Sequence, residues 1–372
     1  MSRRKQSTDN LIWQIWDADL MENGPAKCSV LEEITRQADR LGDREAGYEA
    51  RLNLVQAATF SGYPDKALVA FSWCLSQADQ DPERFDEQDL LWKYKWITDS
   101  LTGFPQISKK QIDDMIEDMR VRYERAGVGQ RAIIQLRWYL AMDMGDRETV
   151  RKYYPIWKKS LRDEMSDCPA CEQNTEVKHA NFFGKDEQAL EAAGPILRGH
   201  LKCAEVPHLT YGRLLIPLIR LQRVDEAARL HLIGYRLVAR NTKLLEPASE
   251  HLLFLAITEN LDKGAKLFEK HLIYALEAAN LDDRFRFYLA SQFLMERLIE
   301  AGNDSLKVRL PKTFPLYQEK GRYEVSDILA WLVQETRELA NRFDQRNEND
   351  YFTRRMKSLK KLHALTTPYP VK

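Results

Sequence analysis

The chain has 372 residues with 56 Lys+Arg against 56 Asp+Glu, so it lacks the basic excess that drives binding to a phosphate backbone, and no nucleic-acid partner is expected. With 44% hydrophobic and 30% charged residues it is too apolar for a disordered chain, and no apolar run of about 18 residues exists to cross a membrane. Five cysteines, an odd number in a chain this long, fit free or metal-bound thiols in a reducing cytoplasm better than a disulfide framework.

Glycine and proline are sparse, at 16 and 14, and long stretches without either favour helices over sheets. The chain opens on a basic head, Arg3-Arg4-Lys5, followed by Leu11-Ile12-Trp13, a segment too short and too polar for a signal-peptide core. Residues 1–42 are expected to form an N-terminal helical cap. From there the apolar spacing predicts helix pairs over 43–61 with 64–79, 86–101 with 107–126, and 130–143 with 147–161. Three more follow over 174–182 with 186–200, 207–220 with 224–240, and 247–258 with 262–279. A longer helix is expected over 283–301. Residues 305–322, with Pro311 and Pro315, read as an irregular connection, and helices over 324–344 and 350–363 close the chain. The organisation is thus a cap over 1–42, a repeat array over 43–302, and a connection with a helical cap over 303–372.

A turn signature recurs between the helices of each pair. Gly62-Tyr63-Pro64-Asp65-Lys66-Ala67 returns as Gly184-Lys185-Asp186-Glu187-Gln188-Ala189, and without glycine at Gln222 to Ala227 and Asn260 to Ala265. With Gly103, Gly145 and Gly302, the marks are 38 to 42 residues apart. The glycine can close the first helix in a left-handed conformation. The acidic residue then sits in the first turn of the next helix, where the helix dipole favours it. The alanine leaves room for two helices to approach.

Gly62, Asp65, Ala67 and Phe71 match the second-helix pattern of the tetratricopeptide repeat, and the chain resembles that family at the level of fold over about 43–300. The repeat near 40 residues is longer than that family's usual one, so irregular repeats are expected. The resemblance implies an all-α, right-handed solenoid of about six to seven antiparallel helix pairs. Such a scaffold binds a peptide or helix of another protein in its groove. Aromatic and arginine side chains on its inner helices would anchor that partner, and Trp92, Trp96, Arg137 and Arg213 are the candidates.

One constellation carries chemistry. Cys168-Pro169-Ala170-Cys171 is a Cys-x2-Cys pair, and Cys203 follows in the next connection of the same kind. Consecutive connections lie on one edge of a solenoid, so the three thiols are expected to converge, and with a fourth ligand they would complete a structural zinc site. His208 is the first choice for that ligand, with Glu205, His179 and His200 as alternatives. The plain reading is of ordinary buried or exposed thiols. An open metal position would instead suit a helical enzyme or a metal or redox sensor. No nucleotide-binding, phosphate-loop, Gly-x-Ser-x-Gly or His-Glu-x-x-His motif is present, so the reading leans away from catalysis. His231, His251 and His271, twenty residues apart, read as polar-face or interhelical residues and not as metal ligands. The basic stretch 354–361 reads as a solvated end helix, and Asp344 is expected to pair with Arg346.

Overall fold

A computed structural model describes residues 2–85, 87–241 and 243–371, with side chains from Asn10 onward. It contains 17 α-helices among the described residues. They are α1 (Ser2–Asp19), α2 (Pro25–Leu41), α3 (Arg44–Ser61), α4 (Pro64–Gln80), α5 (Gln88–Ser100), α6 (Lys109–Arg125), α7 (Gln130–Met144) and α8 (Arg147–Lys159). Then come α9 (Pro169–Phe183), α10 (Asp186–Leu197), α11 (His208–Arg220), α12 (Val224–Val238), α13 (Leu245–Ile257), α14 (Leu261–Glu277) and α15 (Leu281–Glu300). The last two are α16 (Val325–Asn347) and α17 (Tyr351–His363). Neighbouring helices pack in sequence order, which makes the chain an all-α, solenoid-like stack. None of them is long and apolar enough to cross a membrane.

The turn signature works as its chemistry requires. Gly62, Gly145 and Gly184 end α3, α7 and α9 with φ of 81°, 76° and 69°, while Gln222 and Glu259 take the same left-handed exit without glycine. The following Ala67, Ala189 and Ala227 are fully buried where paired helices meet. Gly103 departs from this scheme. It ends a 3-10 turn over Leu101–Gly103 and packs against the start of α15, where a Cβ would lie 2.4 Å from Asn280 Oδ1.

Two local expectations change. Helix α9 starts at Pro169 and not near 174, because Cys168 acts as its N-cap: its Sγ accepts the Cys171 N–H at 3.4 Å, and Pro169 supplies a first turn that needs no N–H. The connection after α15 is anchored at both ends by a short antiparallel ladder, β1 (Ser305–Lys307) against β2 (Arg322–Glu324), with Leu306 opposite Tyr323.

The stack curls until its halves touch. The first helices of successive pairs, α3, α5, α7, α9, α11, α13 and α15, pack against one another along the inside. At the seam, Arg346 near the end of α16 donates to the carbonyls of Thr102, at 2.9 Å, and of Phe104 and Ile107, both at 3.4 Å. Asn349 donates to Met144 O at 2.9 Å. Arg346 therefore does not pair with Asp344, whose carboxylate caps α17 by accepting from Phe352 N and Thr353 N. The tail follows the same plan, with Thr367 N and Tyr369 N donating to Ile257 O and Thr258 O.

Candidate metal centre and inner cavity

Cys168 and Cys171 open α9, and Cys203 lies in the connection between α10 and α11. Their sulfurs all fall within 4.8 Å of one another, with Cys171 and Cys203 3.3 Å apart. The three thiols thus lie close enough to bind one metal ion. Tetrahedral zinc–thiolate bonds of about 2.3 Å place sulfurs about 3.8 Å apart, within a small side-chain rotation of this arrangement. Burial, then contact with Cys203 and Cys168, pushes the Cys171 thiol far above its usual range. A cation at the centre would reverse that effect.

A polar network sets the position of this edge. Arg131 on α7 forms a two-pronged pair with Glu172 at 2.8 and 2.9 Å, and both side chains are 8% exposed. Arg131 also donates to the carbonyls of Trp157 and Ser160 that end α8. Arg162 binds Glu172 and donates to Asp167 O at 2.6 Å. Lys95 on α5 donates to Met165 O at 2.7 Å and Asp167 Oδ1 at 2.8 Å, and Gln135 reaches Asp167 Oδ2 at 2.6 Å. The connection before Cys168 is thus held by Lys95, Arg131 and Gln135 from earlier helices and by its own Arg162. Sequence reading singled out none of these holders, and the partners of Arg131, Lys95 and Gln135 lie 22 to 72 residues away.

None of the expected fourth ligands joins the three sulfurs in the group whose ligand atoms all lie within 4.8 Å of one another, and the four are placed differently. His208 heads α11, directly after a turn in which Cys203 N–H donates to Val206 O at 3.0 Å. Its Nδ1 is shielded from water and has no hydrogen-bond partner among the described residues, and burial lowers its pKa. His179 Nδ1 accepts from Trp138 Nε1 at 3.0 Å, its ring stacks on Tyr154, and burial lowers its pKa to about 4. Glu205 pairs with Lys243. His200 is exposed.

The inner face of the stack encloses a cavity of about 300 Å³. Each of α3, α5, α7, α9, α11, α13 and α15 contributes to its wall. Seven carboxylates line it against four cationic side chains. Every one of the four is already paired: Lys178 with Asp143 at 2.7 Å, Arg213 with Glu246 at 3.3 Å, Arg286 with Asp282 at 2.8 Å, and Lys243 with Glu205. Against the burial that would raise it, Arg213 and Arg286 hold the Glu246 carboxyl well below its usual range. Of the expected anchors, Trp96 and Arg213 line the cavity, Trp96 packing edge-on against Phe60. Trp92 lies under the Lys95 ammonium at 3.6 Å, and Arg137 faces Asp113 and Glu117; neither reaches the cavity.

Comparison with protein families and with curated protein sequences finds no match for this chain.

Proposed function

We propose that this chain is a tetratricopeptide-like scaffold that receives a segment of another protein on its inner face, with a structural zinc ion pinning one edge. The observation that carries the reading is the regular use of the first helix of each pair: seven of them, α3 to α15 in alternation, line one concave cavity. A helix with side chains is about 10–12 Å across, so a cavity of about 300 Å³ suits side chains of an extended segment better than a docked helix. Zinc at Cys168, Cys171, Cys203 and His208 would tie the start of α9 to the start of α11 and hold two repeats in register. His208 is favoured as the fourth ligand because its Nδ1 lacks a partner, whereas His179 and Glu205 are engaged elsewhere.

Two measurements test this. A photo-crosslinking residue at Trp96 should capture a partner in the native host, and one at Val69, 73% exposed on α4, should not. Capture only from the outer position would overturn the groove reading. Elemental analysis should find about one zinc per chain, lost in Cys168→Ser and Cys203→Ser and weakened in His208→Ala. Metal-free wild-type protein would overturn the zinc reading.

A second reading, a thiol-based metal or redox sensor, is favoured by the 3.3 Å separation of Cys171 and Cys203. A peroxide would take two electrons and two protons from this pair and be reduced to water, leaving a disulfide. Mass spectrometry after mild peroxide treatment would show a 171–203 crosslink, and its absence from metal-free protein would remove this reading.

A further inference from the structure

We propose that α1 joins two copies of this chain, through an exposed face of Trp13, Trp16 and Leu20 that packs antiparallel against the same face of a second copy.

The helix carries two apolar stripes, and its own fold uses one. Leu11, Ile15 and Ala18 are buried and join the core of the first repeats. Trp13, Trp16 and Leu20, at i, i+3 and i+7, form the opposite stripe and are 62%, 56% and 87% exposed. The two indoles meet edge to face with 4.8 Å between ring centroids, so they make one ridge. The other six tryptophans of the chain are buried or half-buried. Single exposed apolar side chains are ordinary, whereas a contiguous ridge of them marks an interaction surface. At these exposures the ridge offers about 400 Å² of apolar surface. Two copies face to face would cover about 800 Å² of it, and the polar residues along its edges bring the total to about 1,000 Å², the least that a specific interface needs.

The charges along α1 decide what covers the ridge. The helix has no acidic residue in its first turn and no basic residue in its last. In sequence it starts with Arg3, Arg4 and Lys5 and ends with Asp17 and Asp19, followed by Glu22. This is the reverse of what the helix dipole favours at each end. Within the chain, Lys27 offsets part of it by donating to Asp19 O at 3.1 Å and to Asp19 Oδ1 at 3.4 Å. Asp17 and Glu22 are exposed and form no ion pair among the described residues. A second α1 running antiparallel across the tryptophans lays the start of each helix beside the end of the other. Basic sequence then meets acidic sequence at both ends, and the two dipoles oppose. A two-fold axis produces this arrangement from one contact used twice. An anionic bilayer is the other surface that takes exposed tryptophans, and Asp17, Asp19 and Glu22 beside Leu20 oppose it. The ridge lies apart from the inner cavity and from the three thiols, so the pairing depends on neither the scaffold nor the zinc.

Analytical ultracentrifugation over a wide range of concentration should show a reversible monomer–dimer equilibrium for the wild type. Trp13→Ser/Trp16→Ser should weaken the dimer by about tenfold or more. It should leave the helical content of the monomer unchanged, because both side chains are exposed. Asp17→Lys/Glu22→Lys and Arg3→Glu/Arg4→Glu/Lys5→Glu should each self-associate less than the wild type. An equimolar mixture of these two variants should form a heterodimer tighter than either homodimer, which non-specific apolar association would not produce. A wild type that stays monomeric at every concentration would overturn the proposal, and so would a dimer that the tryptophan substitutions leave unchanged. A mixture that associates no better than its components would overturn the antiparallel arrangement. Flotation with phosphatidylserine vesicles completes the test: a monomer carried by them through its tryptophans would assign the ridge to a membrane and overturn the second copy.

Discussion

Three thiols meet at an edge of the stack with their sulfurs within 4.8 Å, while of three imidazoles inside it two meet and the third turns away. His231, His251 and His271 are nearly inaccessible, and His231 Nδ1 faces His251 Nδ1 at 3.1 Å. His271 turns away to Tyr235 Oη at 3.3 Å, and His251 Nε2 and His271 Nδ1 find no hydrogen-bond partner. The difference follows from position within the repeat. Cysteines in connections share an edge and can turn toward one point. Histidines in the middle of α12, α13 and α14 take the spacing of packed helices: the His231 ring stacks on Phe254 and Tyr235, and His251 and His271 meet Tyr235 at steeper angles. Equal sequence spacing along three packed helices brings two of the rings into contact and leaves the third on Tyr235.

Acid should separate the two triads most strongly. Burial lowers the pKa of His231 and His271 to about 4, and that of His251 well below its usual value. The folded chain then binds fewer protons than the unfolded chain below pH 6.5. Stability from these imidazoles is complete above that pH and is lost as pH falls from 6.5 toward 4, by about 3 kcal/mol for each of His231 and His271. Glu250, raised to about 8 by burial, acts in the opposite direction and strengthens the fold as pH drops. Chemical denaturation of the wild type against a His231→Gln/His271→Gln variant cancels it, and the variant should show the flatter acid limb.

Arg131→Met should be next. It leaves the Glu172 carboxylate buried without its main partner, at a cost of about 3–5 kcal/mol, and releases the turn that ends at Cys168. Denaturant titration would show the loss, and zinc uptake should weaken with it. Gly234→Ala acts on the imidazole side. A Cβ there would lie 2.8 Å from Tyr211 Cβ and 3.0 Å from His251 Cε1, so the usual helical gain of alanine should turn into a loss of about 1–3 kcal/mol in thermal melting. His200→Ala should do least. The side chain is exposed, and both stability, within about 0.5 kcal/mol, and metal content should be unchanged.

Much of the helix plan was legible because its signals are local. The pair over 43–61 and 64–79 matches α3 and α4 within a residue, since Gly62 and Pro64 mark the exit and the entry. The convergence of Cys168, Cys171 and Cys203 was legible for the same reason: it needs only the order of helices and connections. The start of α9 was misplaced because a cysteine stood where serine or aspartate usually caps a helix. Trp92 and Arg137 were expected on the inner face, but helical periodicity gives an apolar stripe and not the direction in which a stack curves, and neither lines the cavity.

By itself the sequence determined an all-α chain, the boundaries of most of its helices, and the edge on which its thiols gather, because helical period and turn chemistry act over a few residues. Only the tertiary structure decided that the stack closes on itself. Small rotations accumulate from pair to pair until Arg346 reaches carbonyls about 240 residues earlier in the chain, and no local pattern encodes that sum. The same closure changed the role of Gly103 from a helix exit to a point of close approach. It also set Asp99 and Asp283, from helices far apart in sequence, on the wall of one cavity.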